Sequence, residues 1–202
     1  MRPAPPDPVG DPVTTSRVGN LPNALTLLRL LLVPVFAWLL LADAGADAGM
    51  RIAAAAVFVF ASVTDLVDGA LARRLGAVTT FGKVADPIAD KALTGVALVG
   101  LSALGELPWW VTLVILAREV GVTLLRFWVI RHGVIPASRG GKAKTVAQMV
   151  AITLYLLPLD GPWLVVRAVV MGVAVVLTLA TGADYVVRAV RLRRRALATG
   201  TA

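Results

Sequence analysis

The chain alternates between long apolar stretches and short polar breaks. Six apolar stretches are present, each of roughly 20 residues, which is what a helix needs to cross a hydrocarbon layer of about 30 Å. They cover about 21–42, 50–73, 82–104, 109–130, 145–159 and 163–187. No sustained alternation of apolar and polar residues occurs, so strands are not expected. The pattern predicts an all-α integral membrane protein with six transmembrane helices.

The two ends of the chain lack this pattern. Residues 1–18 contain several Pro, Asp, Ser and Thr residues without an apolar core, and residues 196–202 are of low complexity. We expect both segments to be disordered, with no cleavable signal peptide. The residues between them, 19–195, are predicted to form a single domain of six transmembrane helices.

Basic residues are concentrated on one side of the predicted bundle. Every second break is rich in arginine and lysine, as is the stretch after the sixth helix, whereas the other breaks carry mainly acidic residues. Because basic loops stay in the cytoplasm, both termini are predicted to be cytoplasmic in a multi-pass protein of the cell membrane. Arg51 and Arg167 are exceptions, since they lie just inside predicted helices at the other side.

The composition supports a membrane protein and excludes several kinds of site. Hydrophobic residues make up 58% of the chain, and the net charge is +8. We attribute that charge to cytoplasmic loops and to anionic lipid head groups rather than to a nucleic-acid partner. The absence of cysteine excludes disulfides and thiolate metal sites, and the single histidine, His132, excludes a multi-histidine site.

Four aspartates are concentrated where the second predicted helix ends and the third begins. Asp65 and Asp68 are one helical turn apart, and so are Asp86 and Asp90. Antiparallel packing of these helix ends would bring the carboxylates together near the cytoplasmic surface. Such a cluster repels itself unless a cation neutralises it, and oxygen ligands alone favour Mg²⁺ or Mn²⁺. We therefore expect one or two ions, which would in turn bind phosphate oxygens.

Other interpretations of these charges are open on the residues alone. Aspartates in first turns stabilise the helix dipole, and arginines at helix ends are ordinary topology signals. Intramembrane aspartates also form ion or proton pathways, but those require charges near the middle of the bilayer. The four aspartates instead cluster at one end of the predicted helices.

The order of these residues resembles a family signature. Asp65-x-x-Asp68-Gly69-x-x-Ala72-Arg73 is followed, after eight residues, by Gly82-x-x-x-Asp86-x-x-x-Asp90. Every fixed position is similar to the motif of the CDP-alcohol phosphotransferases. The resemblance implies six transmembrane helices and a homodimer that transfers a phosphatidyl group from a CDP-lipid and releases CMP.

The resemblance also implies roles for the aspartates. Asp65, Asp68 and Asp86 resemble the ligands of a site for two Mg²⁺ or Mn²⁺ ions that bind the CDP-lipid diphosphate. Asp90 resembles the general base that takes the proton of the acceptor hydroxyl, with a further contact to a metal.

A second set of residues resembles the part of the family site that binds the CDP-lipid. Gly69, Ala72 and Arg73 match positions that line the cytidylate pocket. Asn23 and Thr26 are candidates for contacts with the nucleotide or its phosphates. Helix capping explains Asn23 and Thr26 equally well.

Further stretches resemble the branch of bacterial phosphatidylglycerophosphate synthases: Asn20-Leu-Pro22-Asn23-x-x-Thr26-x-x-Arg29, Ala117-Arg118-Glu119, Leu125-Arg126 and Gly141-Lys142-Ala-Lys144-Thr145-x-x-Gln148-Met149. The resemblance implies CDP-diacylglycerol as donor and sn-glycerol 3-phosphate as acceptor, which requires a second anion site. The candidates for it are Arg118, Arg139, Lys142 and Lys144. The alternatives are topology and lipid attraction for the loop residues, and an internal ion pair for Arg118 and Glu119.

The aspartate motif does not by itself select the acceptor. A cardiolipin synthase using phosphatidylglycerol, or a phosphatidylinositol-phosphate synthase, would carry the same aspartate motif. A lipid acceptor has less need of a basic cluster, whereas inositol phosphate needs one too. A transporter or membrane scaffold would not require small residues such as Gly69 and Ala72 beside the aspartates.

Overall fold

The fold is known from a computed structural model. It describes the backbone of residues 20–75, 80–129 and 139–198. Within these ranges it describes all side chains except those of residues 20–23, 26, 65–75, 80–90, 126–129, 139 and 195–198.

In these ranges the chain forms six α-helices and a short 3₁₀ turn, Ala42–Gly45, without any strand. The helices are α1 (Asn20–Leu41), α2 (Ala48–Leu75), α3 (Thr80–Ala103), α4 (Trp109–Val129), α5 (Arg139–Leu156) and α6 (Trp163–Ala198). The predicted all-α class and the six helices are confirmed. Most helix bounds agree with the apolar stretches to within about two residues.

Two helices differ from the predicted stretches at their ends. Helix α5 begins at Arg139 and ends at Leu156, two residues before Pro158, because a proline disfavours helical backbone in the residue that precedes it. Helix α6 continues to Ala198 and thus enters the 196–202 segment that was predicted to be disordered. Its last turns consist of arginine, leucine and alanine, which are strong helix formers.

The helices pack around a shared apolar core. Helix α1 contacts α2 and α3, helix α4 contacts α3 and α6, and helix α5 contacts α2 and α6. Phe36, Leu40 and Phe58 are among the fully buried side chains. Gly100 allows α1 and α3 to approach closely, since a Cβ there would lie 2.6 Å from Cδ2 of Leu40.

The outer surface of the bundle is strongly apolar. Trp38, Leu113 and Val165 are each more than 60% exposed. Among the described residues, Leu27–Gly45 and Trp163–Arg194 are long and apolar enough to cross a membrane, and two further apolar segments are shorter. A soluble monomer rarely exposes this much apolar surface, whereas lipid accommodates it. The structure supports a membrane protein, and the number of membrane crossings stays a prediction.

The two arginines that break the charge pattern share one carboxylate. Glu106 lies in the turn between α3 and α4. Its Oε1 is 2.7 Å from Nη1 of Arg51, and its Oε2 is 2.9 Å from Nη1 of Arg167. Arg51 also donates to the backbone oxygens of Tyr155 and Leu156, and the Arg167 guanidinium lies 4.7 Å from the centre of the Tyr155 ring. We call Arg51, Glu106 and Arg167 the Glu106 cluster. It joins α2, α5 and α6 at the end of the bundle opposite the aspartates.

The charges of this cluster act on Glu106. Burial raises the pKa of its carboxyl, but the hydrogen bond from Arg51 and the positive charges of Arg51 and Arg167 outweigh burial, so the pKa lies below its usual value of 4.5. The two arginines thus bind a carboxylate within the bundle. This role explains why they lie on the side of the bundle that otherwise carries few basic residues.

Candidate active site

The aspartate motif lies on two helix ends. Asp65 and Asp68 are in the last turns of α2, and Asp86 and Asp90 are in the first half of α3, with continuous helical backbone within each pair. The four side chains lie outside the described residues. The predicted one-turn spacing therefore holds for the backbone, while the roles of the side chains stay predictions.

The residues predicted to bind the CDP-lipid are similarly placed. Gly69, Ala72 and Arg73 lie on α2 after the first aspartate pair, and Asn23 and Thr26 lie in the first two turns of α1. None of their side chains is among those described. Their assignments stay predictions.

A cavity of about 140 Å³ lies between α2, α3, α4 and α5. Its apolar lining includes Phe58 and Ile152, and its polar lining includes Lys91, Glu119, Lys144 and Gln148. Lys91 directly follows Asp90 in α3. One residue that lines the cavity therefore directly follows the residue predicted to act as the base.

One carboxylate organises the polar side of this cavity. Oε1 of Glu119 lies 2.5 Å from Nζ of Lys144 and 3.0 Å from Nη1 of Arg118, and its Oε2 lies 3.6 Å from Nζ of Lys91. We call Lys91, Arg118, Glu119 and Lys144 the Glu119 cluster. Its side chains come from α3, α4 and α5.

Helix α6 binds the Glu119 cluster through Arg118. Nη2 of Arg118 donates to Oγ1 of Thr181 at 3.0 Å, and the Thr181 hydroxyl in turn donates to the backbone oxygen of Leu177. Gly182 leaves room for the arginine, because a Cβ there would lie 3.1 Å from Cγ of Arg118. Arg118 is thereby fixed between Glu119 and α6.

The cluster carries three positive charges and one negative charge. The side chain of Lys144 is only 7% exposed and that of Arg118 14%, whereas that of Lys91 is 32% exposed. Arg118 does not line the cavity, so the lining charges are those of Lys91, Lys144 and Glu119, two positive and one negative. The cavity therefore carries a net positive charge, which suits an anionic group such as a phosphate.

The structure separates the four residues predicted to bind the acceptor phosphate. Lys144 lines the cavity, while Arg118 is not among the lining residues and forms the internal ion pair that was the alternative for it. Lys142 is exposed on α5 and does not line the cavity. Arg139 is the first residue of α5, and its side chain lies outside the described residues.

Two charged residues of the cavity, Lys91 and Glu119, were absent from the predicted acceptor set. Lys91 has a detectable signal, because it is a cation well inside an apolar stretch and directly follows Asp90. Glu119 lies beside Arg118, but nothing in the sequence places it next to two lysines from other helices. Its role depends on helix packing.

The metal site cannot be located on the described side chains. Among them, no group of three or more His, Cys, Asp or Glu residues is close enough to hold an ion. The predicted ligands, Asp65, Asp68, Asp86 and Asp90, all lie outside this set. Four carboxylates on two adjoining helix ends are nevertheless a donor set that fits Mg²⁺ or Mn²⁺.

A comparison with protein families decides the class of the protein. The family model described as CDP-alcohol phosphatidyltransferase matches residues 19–180. The chain belongs to this family. It is therefore a transferase of phospholipid biosynthesis, and this part of the sequence-based prediction is confirmed. Enzymes of the family generally use divalent metal ions, in agreement with the carboxylate motif.

Curated relatives cover most of the chain. A probable phosphatidylglycerophosphate synthase of Mycobacterium tuberculosis is 57% identical over 176 residues, which are 87% of this chain and 84% of the relative. A CDP-diacylglycerol–glycerol-3-phosphate 3-phosphatidyltransferase of Bacillus subtilis is 38% identical over 82% of this chain and 93% of the relative. A CMP-forming cardiolipin synthase of Streptomyces coelicolor is also 38% identical, over 79% of this chain and 75% of the relative.

Proposed function

We propose that this enzyme transfers the phosphatidyl group of CDP-diacylglycerol to sn-glycerol 3-phosphate, forming phosphatidylglycerophosphate and CMP. The observation that carries the choice of acceptor is the cavity lined by Lys144 and by Lys91, the residue that follows Asp90 in the chain. Two lysines suit an acceptor that bears its own phosphate. The names of the Mycobacterium tuberculosis and Bacillus subtilis relatives support the same donor and acceptor.

The aspartate motif is proposed to bind the donor. Asp65, Asp68 and Asp86 would hold one or two Mg²⁺ or Mn²⁺ ions, and Asp90 would contact them from the next turn of α3. Bound ions would supply positive charge for the diphosphate and for the departing CMP. Gly69, Ala72 and Arg73 would accommodate the cytidylate, with Asn23 and Thr26 near its phosphates.

Asp90 is proposed as the general base. Its carboxylate takes the proton of an acceptor hydroxyl, and the freed oxygen forms a bond to the phosphorus that carries diacylglycerol. The bond from that phosphorus to the CMP oxygen breaks, and CMP leaves. Lys91 and Lys144 hold the phosphate of the acceptor during this exchange, which keeps its hydroxyl close to the phosphorus.

The membrane arrangement is part of the proposal. We infer six transmembrane helices with both termini and the active site in the cytoplasm, in a homodimer within the cell membrane. The apolar outer surface of the helices and the basic residues near the aspartate-bearing ends support this arrangement. Glycerol 3-phosphate would then reach the cavity from the cytoplasm, and CDP-diacylglycerol from the lipid.

A cardiolipin synthase is the second candidate, because the Streptomyces coelicolor relative has the same 38% identity as the Bacillus subtilis relative, although it covers a smaller share of both chains. Its acceptor would be phosphatidylglycerol, a phosphodiester with a single negative charge. A phosphate monoester offers three terminal oxygens to Lys91 and Lys144, whereas a phosphodiester offers two. We therefore place the acceptor with the phosphate monoester first.

Purified protein distinguishes these candidates. We expect detergent-solubilised enzyme with CDP-diacylglycerol and Mg²⁺ to release CMP when glycerol 3-phosphate is added, but not with phosphatidylglycerol or inositol phosphate. Chelation of the metal should stop the release, and Mg²⁺ or Mn²⁺ should restore it. CMP release that does not depend on glycerol 3-phosphate would contradict the assignment of the acceptor.

A further inference from the structure

Glu119 is a carboxylate in a cavity that is proposed to bind an anion. We infer that Glu119 is a positioning residue, which holds Lys144 and Lys91 in place before the acceptor phosphate arrives. This inference rests on the proposed function. It assigns to Glu119 a role in acceptor affinity that the charge of its side chain would not suggest.

The contacts of Glu119 join four helices. Glu119 lies on α4, and its Oε1 accepts a hydrogen bond from Nζ of Lys144 on α5 at 2.5 Å. Its Oε2 lies 3.6 Å from Nζ of Lys91 on α3. Arg118, its neighbour in the chain, donates to the same Oε1 and extends to Thr181 of α6. The carboxylate is therefore anchored on α4 and α6, and the lysines that it holds come from the other two helices.

Anchoring of this kind lowers the cost of binding an anion. A lysine side chain has four rotatable carbons and loses considerable rotamer freedom when it is fixed. If Glu119 already fixes the two ammonium groups, the acceptor phosphate does not have to order them. Glu119 also reduces the repulsion between two cations that approach the same cavity.

A second effect of Glu119 would lower the affinity for the acceptor phosphate. Its negative charge repels the acceptor phosphate directly, so a carboxylate without a positioning role would weaken acceptor binding. Removal of the charge then gives opposite results under the two views. A positioning residue predicts weaker binding of glycerol 3-phosphate after neutralisation, and simple repulsion predicts tighter binding.

The Glu119→Gln variant tests the sign. We expect its KM for glycerol 3-phosphate to rise about tenfold, because the free energy needed to order two lysine side chains corresponds to about a tenfold loss of affinity. Its kcat and its KM for CDP-diacylglycerol should change less than about twofold. The Glu119→Asp variant keeps the charge on a shorter side chain and should recover part of the affinity. An unchanged or lower KM for glycerol 3-phosphate in Glu119→Gln would overturn the inference.

Glu106→Gln is the matched control, because Glu106 also joins cations from different helices but lies at the other end of the bundle. It should leave the KM for glycerol 3-phosphate unchanged. An equal rise in both variants would show a general effect of a weakened bundle and would contradict the positioning role.

A milder variant covers the case in which Glu119→Gln does not fold. Thr181→Val removes the hydroxyl that anchors Arg118 and should raise the KM for glycerol 3-phosphate about threefold, the effect of one hydrogen bond. Thr153→Val is its control, because among the described residues that hydroxyl donates to the backbone oxygen of Met149 in its own helix and to no other helix. If Thr181→Val behaves like Thr153→Val, the inference fails. If wild-type enzyme does not use glycerol 3-phosphate at all, the proposed function fails first and the inference with it.

Discussion

Arg51 Nη1 lies 2.7 Å from Glu106 Oε1, and this ion pair joins the start of α2 to the turn between α3 and α4. The guanidinium is almost buried and also donates to two backbone oxygens at the end of α5. Arg167 of α6 binds the other carboxylate oxygen. The Glu106 cluster thus fixes one end of the bundle, while the Glu119 cluster occupies the region of the cavity.

The Glu106→Gln variant should lower the stability of the bundle. It removes the charge that two arginines share, although an amide oxygen still accepts one hydrogen bond, so we expect a loss of about 1–3 kcal/mol. Thermal unfolding in detergent measures this loss. An unchanged Tm would show that the buried arginines do not depend on the Glu106 charge.

The stabilising effect of Glu106 should depend on pH. Because the pKa of its carboxyl is lower in the folded protein than its usual value of 4.5, the ion pairs contribute fully above that value. The contribution is lost as the pH falls from about 4.5 through the lower folded pKa. The difference in Tm between wild type and Glu106→Gln should therefore be constant near neutral pH and shrink under acidic conditions. A constant difference down to pH 3 would contradict the shifted pKa.

The Asp90→Asn variant should abolish turnover and largely keep CDP-lipid binding. An amide has no basic oxygen to take the acceptor proton, whereas three other aspartates remain to bind the metal ions. Binding of CDP-diacylglycerol and release of CMP are measured on the same preparation. Asp68→Asn is the comparison, and we expect it to lose both properties. If Asp90→Asn loses binding to the same degree, Asp90 is chiefly a metal ligand.

The contact between α1 and α3 at Gly100 should not tolerate a side chain. In Gly100→Ala the new methyl group would overlap Leu40, which is fully buried and cannot easily move, at a cost of about 1–3 kcal/mol. Gly172→Ala is the control, because among the described residues no atom beyond its own stretch of helix lies within 4 Å of a Cβ built there. Only the first variant should lower the Tm in detergent. Equal Tm values for the two would mean that α1 and α3 pack less closely than described.

The helices and the aspartate motif were accessible from the sequence. Each apolar stretch is set by local composition, and the spacing of Asp65, Asp68, Asp86 and Asp90 follows from the helical period alone. Proline, as at Pro158, and the helix propensity of the last turns decided the ends of α5 and α6. Both effects are local, but the prediction followed the apolar stretches. It therefore placed the ends of α5 and α6 several residues from where the helices end.

The partners of the charged residues were harder to predict. For Arg118 the sequence leaves two roles open, the acceptor phosphate and an internal ion pair, and the structure shows the ion pair with Glu119 and a hydrogen bond to Thr181. Lys91, which was not among the candidates, lines the cavity. In the sequence both cations lie within apolar stretches beside a carboxylate, Lys91 after Asp90 and Arg118 before Glu119. Which of them faces the cavity depends on how each helix is rotated, and local composition carries little information about that rotation.

The sequence by itself determined the family, the all-α class and the carboxylate motif, since these depend on residue identity and on spacing along one chain. Only the tertiary structure decided that Glu106 lies between two arginines and that Glu119 lies among Arg118 and two lysines. A buried charge requires a partner at contact distance, and in both clusters partners come from helices that are distant in the sequence.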